Sequence, residues 1–347
     1  MNRLVNKTFL FSITLLAAIL ALNTVPVPGQ SSAVADMPAG LRVFYASHSL
    51  MWDMPPVLTE AAEAYGIKGH TVEGHQRIGV SRTMQHWDMA DDRNQAKQAL
   101  EAGNVDVFVM SPLVHPDEGI TNFVKLGLEH NPNMKFVIQI SWPGLGFTDN
   151  EQFNTQGMGG GMGSGRGSRM GGGRGSGAQG GGNMRGGGMQ GGGMFGGSMF
   201  GGPEDNLKTP EELAKIDAID IKNAEEQAKR LNQELGKGKT VVFLVPTAQA
   251  HNALRTLIYK KEMPGMTNQS EVFRDPIGHP TEPVIVLNAY LHFAVLYKRS
   301  PVGLPMPGIL KKADKPKWDE KMNRKLQELA WDLVTHYPPS RVTGEGN

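Results

Sequence analysis

A serine stands in a turn that could join a strand to a helix, and an aspartate and a histidine stand later in the chain, before another helix. Ser49 follows an apolar run that ends at Ala46, and Asp275 and His279 share a later turn that contains proline and glycine. In an open parallel sheet, ligands bind outside the carboxyl ends of the strands, where such turns lie. A serine, a base and a carboxylate that meet there are the parts of a nucleophilic hydrolase. We therefore take these three residues as candidate catalytic residues.

Five apolar runs, each bounded by polar or turn residues, predict the strands that must position the candidates. These runs are 41–46, a weaker run 70–73, 105–110, 135–142 and 240–246. Helical patterns alternate with them over 53–65, 90–102, 117–130, 209–235, 248–260, 282–297 and 318–336. Strands that alternate with helices of this length indicate a parallel sheet with helices on both faces.

The beginning of the chain has the pattern of an export signal. Arg3 and Lys7 precede the uncharged run 9–22, which has the length of a signal-peptide apolar core and is short for a membrane span. Ala33 and Ala35 form an A-x-A pattern, which predicts cleavage of residues 1–35. We expect the mature chain, residues 36–347, in the periplasm or outside the cell without a stable membrane anchor. A cut near residue 29 and an uncleaved anchor are the alternatives.

A low-complexity segment, residues 157–202, interrupts the predicted domain, and 25 of its 46 residues are glycine. It contains no acidic residue and too little apolar surface to offset its ordering entropy, so we predict a disordered loop. Its arginines and methionines would suit nucleic acid or a soft metal ion, but we favour a solvated loop. Because Ser49 precedes the segment and Asp275 and His279 follow it, its two flanks must fold together. We expect the segment near the crevice and dispensable for folding.

The composition excludes several kinds of chemistry and partner. The chain contains no cysteine, which excludes disulfides, thiolate chemistry and a lipid-modified N-terminal cysteine. Removing residues 1–35 takes away two of the 35 basic residues and none of the 34 acidic ones, which leaves a net charge of −1. This balance predicts no nucleic-acid partner.

The sequence resembles the SGNH (GDSL-like) hydrolases, and more closely an exported branch common in planctomycete-like bacteria. The resemblance runs from about residue 41 to 305 and omits the glycine-rich segment. Its strongest stretches are VFYASHSL at 43–50, IGVSRTMQHWD at 78–88, residues 116–142, and 273–305, which contains DPIGHPTEP and YKRSPVGLP.

The resemblance implies a flavodoxin-like three-layer α/β/α domain with a five-stranded parallel sheet. It also implies ester hydrolysis through an acyl-enzyme, and we expect no cofactor and no metal. By matching positions, Ser49 is the nucleophile, Asp275 and His279 complete the triad, and the backbone N–H of Gly79 binds the oxyanion.

Two further residues have two interpretations each. His48 either donates to the substrate or packs beside the nucleophile turn. Trp142 either walls an acyl or sugar pocket or belongs to the core.

The chain departs from the family pattern at three points. The first block reads Ala46-Ser47 in place of a glycine-initiated turn. The third block lacks Gly-x-Asn-Asp, and the nearest asparagine, Asn122, falls on the following helix. Asp275 precedes His279 by four residues, where three is the common spacing.

These observations leave three functions open. The first is an exported esterase for a small-molecule or glycan ester, such as a deacylase acting on esterified carbohydrate. The second is a catalytically weak or inactive relative that binds glycan or a surface partner, which the missing asparagine favours. The third is a metal-binding protein that uses several of His48, His75, His86, His115 and His279, although their spacings fit no helical i, i+4 pair.

Overall fold

The computed structural model describes residues 37–142, 208–275, 278–311 and 318–344. The predicted signal peptide and the glycine-rich segment lie outside the described residues. The described residues, from Met37 onward, belong to one compact unit. Among the helices of the described ranges, none combines the length and the apolar character needed to cross a membrane.

A sheet of five parallel strands lies at the centre of the described part of the chain. The strands pair in the order β2-β1-β3-β4-β5, which confirms the predicted flavodoxin-like sheet. Every residue of β3 and β5 is buried, which explains their continuous apolar runs. The strands are β1 (Arg42–Ser47), β2 (Thr71–Arg77), β3 (Val107–Ser111), β4 (Lys135–Gln139) and β5 (Val242–Val245).

Strand β2 is longer than the sequence predicts. The predicted run ended at residue 73, which placed His75 and Arg77 in the following turn, but both lie within the strand. β2 pairs with β1 along its whole length, from Arg42↔Thr71 to Ser47↔Arg77. As an edge strand it buries only Gln76 fully, so polar residues are tolerated and no apolar run marks it.

Helices cover both faces of the sheet. The seventh helix packs against the first and the ninth, and the second, third and fourth helices form the group on the other side. The helices of the described residues are α1 (Met54–Tyr65), α2 (Thr83–Trp87), α3 (Gln95–Glu101), α4 (Glu118–His130), α5 (Pro210–Leu235), α6 (Thr247–Tyr259), α7 (Glu282–Tyr297), α8 (Gly308–Lys311) and α9 (Glu320–Thr335).

The helix predicted over 90–102 begins later, at Gln95. The Asn94 side chain accepts a hydrogen bond from the backbone N–H of Lys97 and caps α3 there. α2 was not predicted because five residues are too few to show a helical period. α7 has the predicted bounds, and every residue from Pro283 to Tyr297 is buried. It is therefore the central helix of its layer.

Several histidines are buried in the neutral form. His48, His86, His251 and His292 are each at most 2 % exposed. Burial lowers the pKa of His48 and His251 to about 3 and that of His86 and His292 to about 4. Burial acts in the opposite direction on Asp217, whose pKa it raises to about 7.

We expect these histidines to make the fold sensitive to acid. Between pH 6.5 and about 4 these histidines are protonated in the unfolded chain but stay neutral in the folded protein. The free energy of unfolding therefore decreases as the pH falls. Each of the four histidines lowers the free energy of unfolding by up to about 1.4 kcal/mol for each pH unit of acidification. The protonation of Asp217 in the folded protein has the opposite sign and offsets the effect of only one histidine. Urea unfolding at pH 7.5, 6.0 and 5.0 measures the effect, with the exposed His336→Ala variant as the control. A midpoint that stays constant or rises toward pH 5 would contradict the prediction.

Candidate active site

The turn after β1 presents Ser49 at the carboxyl edge of the sheet. The backbone N–H of Met51 donates to the carbonyl of His48 at 3.2 Å, and that of Trp52 donates to the carbonyl of Ser49 at 3.4 Å. These two bonds tighten the chain just before α1 begins. The neighbours of Ser49 on both sides are buried, whereas Ser49 itself is partly exposed. The serine hydroxyl is therefore accessible on a rigid turn.

The structure brings Ser49, His279 and Asp275 together. Ser49 Oγ lies 2.7 Å from His279 Nε2, and His279 Nδ1 lies 2.6 Å from Asp275 Oδ2. The other carboxylate oxygen, Oδ1, accepts the backbone N–H of His279 at 3.2 Å. The histidine and aspartate side chains are 19 % and 33 % exposed. The four-residue spacing thus lets one carboxylate hold both the ring and the backbone of the histidine.

The turn that carries Asp275 and His279 is closed by its own backbone. The N–H of Arg274 donates to the carbonyl of His279 at 2.9 Å, and Phe273 forms an antiparallel bridge with Pro280. Gly278 has a φ of 92°, in the left-handed region that favours glycine. The turn leads directly into α7, so a buried helix fixes its end.

Trp142 lies in the core behind this turn. Its side chain is 3 % exposed, and its indole stacks on the His251 ring at 3.7 Å and parallel to Phe273 at 6.5 Å. Its Nε1–H donates to the carbonyl of Gly278 at 3.0 Å. Of the two interpretations from sequence, the structure places the side chain in the core, where it supports the histidine turn.

His48 is buried beneath the nucleophile turn. Its Nδ1 accepts the backbone N–H of Leu50 at 3.3 Å, so the proton resides on Nε2. Nε2 lies 2.8 Å from Ser141 Oγ and 3.0 Å from Ser111 Oγ. Ser141 Oγ in turn donates to the carbonyl of Pro112 at 2.6 Å. His48 therefore packs beside the turn and ties it to the ends of β3 and β4.

Gly79 lies in the exposed turn between β2 and α2, with open space where a Cβ would stand. The next residue, Val80, has a φ of 48°. A β-branched residue in this region carries strain of about 1–3 kcal/mol, which the surroundings must offset. Ser81 helps to offset this strain, since its hydroxyl donates to the carbonyl of Ile78 at 2.9 Å and lies 2.9 Å from His86 Nε2.

Asp117 fixes the far end of the same turn, a role that the sequence analysis missed. Its buried carboxylate accepts the backbone N–H groups of Thr83 at 2.6 Å, Met84 at 3.0 Å and Gly119 at 2.9 Å. It thereby joins the start of α2 to the start of α4. Burial raises the pKa of Asp117, against the lowering effect of these hydrogen bonds and of Arg82. The sequence signal available was its position as the N-cap of α4.

The loop after β3 uses its polar groups for structure. His115 Nδ1 lies 2.9 Å from Asp220 Oδ2, which links the loop to α5. Asn122 donates from its amide to the Met84 sulfur at 3.8 Å. The candidate oxyanion donors are the backbone N–H of Gly79, which the resemblance implies, and the backbone N–H of Ser49 itself.

The other histidines of the metal hypothesis bond to protein groups. His75 Nε2 lies 2.7 Å from Ser47 Oγ, and His86 bonds to Gln76 and Ser81. Within the described ranges, no group of three histidine, aspartate or glutamate side chains is placed to hold a metal ion.

Comparison with known proteins gives structural similarities only. No family profile and no curated protein matches this sequence. A DUF4886 family protein from Bacteroides uniformis is 13 % identical, with a TM-score of 0.47, over 89 % of this chain and 98 % of its own. A protein from Slackia heliotrinireducens that is provisionally assigned as an SGNH hydrolase is 14 % identical, with a TM-score of 0.36, over 73 % and 97 %. A provisionally assigned GDSL-like lipase from Parabacteroides merdae is 10 % identical, with a TM-score of 0.37, over 75 % and 96 %.

The SGNH/GDSL superfamily that the sequence resembles is thus represented among similar structures. The planctomycete-type branch stays a prediction.

Proposed function

We propose that this protein is an exported SGNH-type serine hydrolase that cleaves an ester through an acyl-enzyme. The observation that carries the proposal is the continuous hydrogen-bonded series from Ser49 through His279 to Asp275. It lies at the carboxyl edge of a parallel sheet, on turns that their own backbones hold in place. The resemblance of the sequence at both turns supports the same roles.

The proposal gives each residue one role, which its position in the hydrogen-bonded series supports. Ser49 Oγ attacks the ester carbonyl while His279 Nε2 accepts its proton. Asp275 holds the Nδ1–H tautomer and stabilises the imidazolium that forms. The backbone N–H groups of Ser49 and Gly79 stabilise the oxyanion. His279 then gives the proton to the leaving alcohol and later activates the water that hydrolyses the acyl-enzyme.

The strained turn at Val80 supports the oxyanion role of Gly79. The Ser81 hydroxyl, which also contacts His86 Nε2, donates to the carbonyl of Ile78, and this carbonyl belongs to the same peptide as the Gly79 N–H. Asp117 accepts the Thr83 N–H at the far end of the turn, so the peptide N–H is held before the substrate arrives. A fixed donor costs no reorganisation when the charge develops, which is what oxyanion stabilisation requires.

Release of p-nitrophenol from p-nitrophenyl acetate tests the proposal, with Ser49→Ala and His279→Ala beside the wild type. Turnover that survives both changes would exclude the triad. No turnover on any short-chain ester, together with glycan binding, would favour the alternative binding function.

Acylated carbohydrate as the natural substrate class is tested by acetate release from acetylated oligosaccharides. Export is tested by the N-terminal residue of the protein recovered outside the cytoplasm, for which we expect Asp36.

A further inference from the structure

A groove of about 1070 Å³ opens beside the candidate triad. Residues close in sequence to all three triad members line it: Trp52 and Asp53 stand three and four positions after Ser49, Phe273 and Arg274 directly precede Asp275, and Pro280 and Thr281 directly follow His279. A substrate whose ester lies at the serine can therefore extend into this groove. Arg77, at the end of β2, also lines it.

Arg77 is held in place on its inner side. Its Nε donates to His75 Nδ1 at 3.2 Å, and His75 Nε2 lies 2.7 Å from Ser47 Oγ. Burial, and then the charge of Arg77, lowers the pKa of His75 to about 4, so the imidazole is neutral and accepts this bond. The guanidinium carbon lies 5.9 Å from the Trp52 ring centroid, and the Trp52 indole donates to the Ser47 carbonyl at 3.1 Å. The side chain is thus pre-organised against the nucleophile turn.

The outer side of the guanidinium is available to a ligand. An arginine offers five N–H donors in a planar fork, and His75 uses only the one on Nε. In the part of the chain that the structure describes, no carboxylate pairs with Arg77. The other arginine of the groove differs, because Arg274 pairs with Asp53 at 3.2 Å. The groove therefore holds one fixed cation whose Nη groups can bind a planar anion.

We propose, on the basis of the proposed function, that Arg77 binds a carboxylate of the substrate. The preferred esters then carry a carboxylate close to the cleaved bond, on the alcohol or the acyl part. A bidentate bond to a carboxylate is the interaction for which a fixed guanidinium is best suited. Glu60, Glu271 and Glu282 also line the groove, so its overall field does not attract anions. The selectivity must come from direct hydrogen bonds to Arg77.

Two matched pairs of esters test this proposal. Phenyl acetate and 4-acetoxybenzoate differ by a carboxylate on the alcohol part, and p-nitrophenyl butyrate and p-nitrophenyl hemisuccinate differ by one on the acyl part. We expect the wild type to prefer the carboxylate member of at least one pair. Arg77→Gln should lower kcat/KM for that ester by about 10- to 100-fold and change its neutral twin by less than about twofold.

Two controls separate direct recognition from other effects. Arg324→Gln removes the same charge from the exposed surface of α9, where Arg324 pairs with Glu328, and should leave the selectivity unchanged. Arg77→Lys keeps the charge without the fork and should recover only part of the preference. An equal loss on both members of a pair in Arg77→Gln, or a wild type without preference, would overturn the proposal.

Calorimetry keeps this inference separate from the proposed function. If the wild type hydrolysed no ester, the proposed function would fail, and benzoate or succinate binding would still decide the role of Arg77. We expect binding to the wild type and a loss of at least about tenfold in affinity in Arg77→Gln. No binding to the wild type, or equal binding to both proteins, would overturn the carboxylate site.

Discussion

Replacing Ser49 with alanine is expected to lower kcat for p-nitrophenyl acetate by about 10⁴-fold or more. The change removes the oxygen that lies 2.7 Å from His279 Nε2, and with it the only step by which an acyl-enzyme forms. The side chain is partly exposed and small, so the fold should be retained. Release of p-nitrophenol at pH 8 measures the loss, and an unchanged thermal unfolding midpoint shows that the variant is folded.

Ser47→Ala is the matched control for this prediction. Ser47 stands two residues earlier and also contacts a histidine, His75, at 2.7 Å. Its side chain is fully buried, and the partner of His75 is the Arg77 guanidinium in place of a carboxylate. We expect Ser47→Ala to lose less than about tenfold, since it makes one neutral hydrogen bond. A larger loss of kcat in Ser47→Ala than in Ser49→Ala would show that Ser49 is not the nucleophile.

Replacing Asp275 with asparagine is expected to lower kcat by about 10⁴-fold, as in other serine triads, with KM little changed. The carboxylate accepts the Nδ1–H at 2.6 Å and so leaves Nε2 free to take the serine proton. An asparagine amide can donate to Nδ1 instead, which stabilises the tautomer with its proton on Nε2. Ser49 then faces a donor and loses its base.

Asp53→Asn provides the comparison for Asp275→Asn. Asp53 is an exposed carboxylate that pairs with Arg274, the residue directly before Asp275. Because exposed ion pairs contribute only about 0–1 kcal/mol, we expect a change in kcat of less than about tenfold. A kcat for Asp275→Asn that equals that of Asp53→Asn would show that the aspartate does not orient the histidine.

The sheet and its edge were predictable because burial leaves a clear sequence signal. β3 and β5 are buried at every position, so each appears as an uninterrupted apolar run. α7 was equally predictable, because its helical pattern continues over 16 residues. Since parallel strands place their following turns at one edge, the position of Ser49 after β1 follows from the alternation of strands and helices. His279 lies between α6 and α7, and its meeting with Ser49 could be expected only from the resemblance.

The remaining features depend on contacts between residues distant in sequence. β2 carries mostly polar residues because only one of its edges is paired, so its length was underestimated. Trp142 supports the histidine turn through Gly278, which is 136 residues away. Asp117 binds the amides of Thr83 and Met84 across a gap of more than 30 residues. Spacing within one segment carries no signal for such contacts.

Labelling with a fluorophosphonate tests the central claim most directly, because these reagents react much faster with a serine that an adjacent base activates than with other side chains. Mass spectrometry of the digested protein identifies the modified residue. We expect one adduct, on the peptide that contains Ser49, and its absence from Ser49→Ala, from His279→Ala and from the denatured protein. An unlabelled wild type, or an adduct on another serine, would contradict the assignment of Ser49, His279 and Asp275 as a catalytic triad.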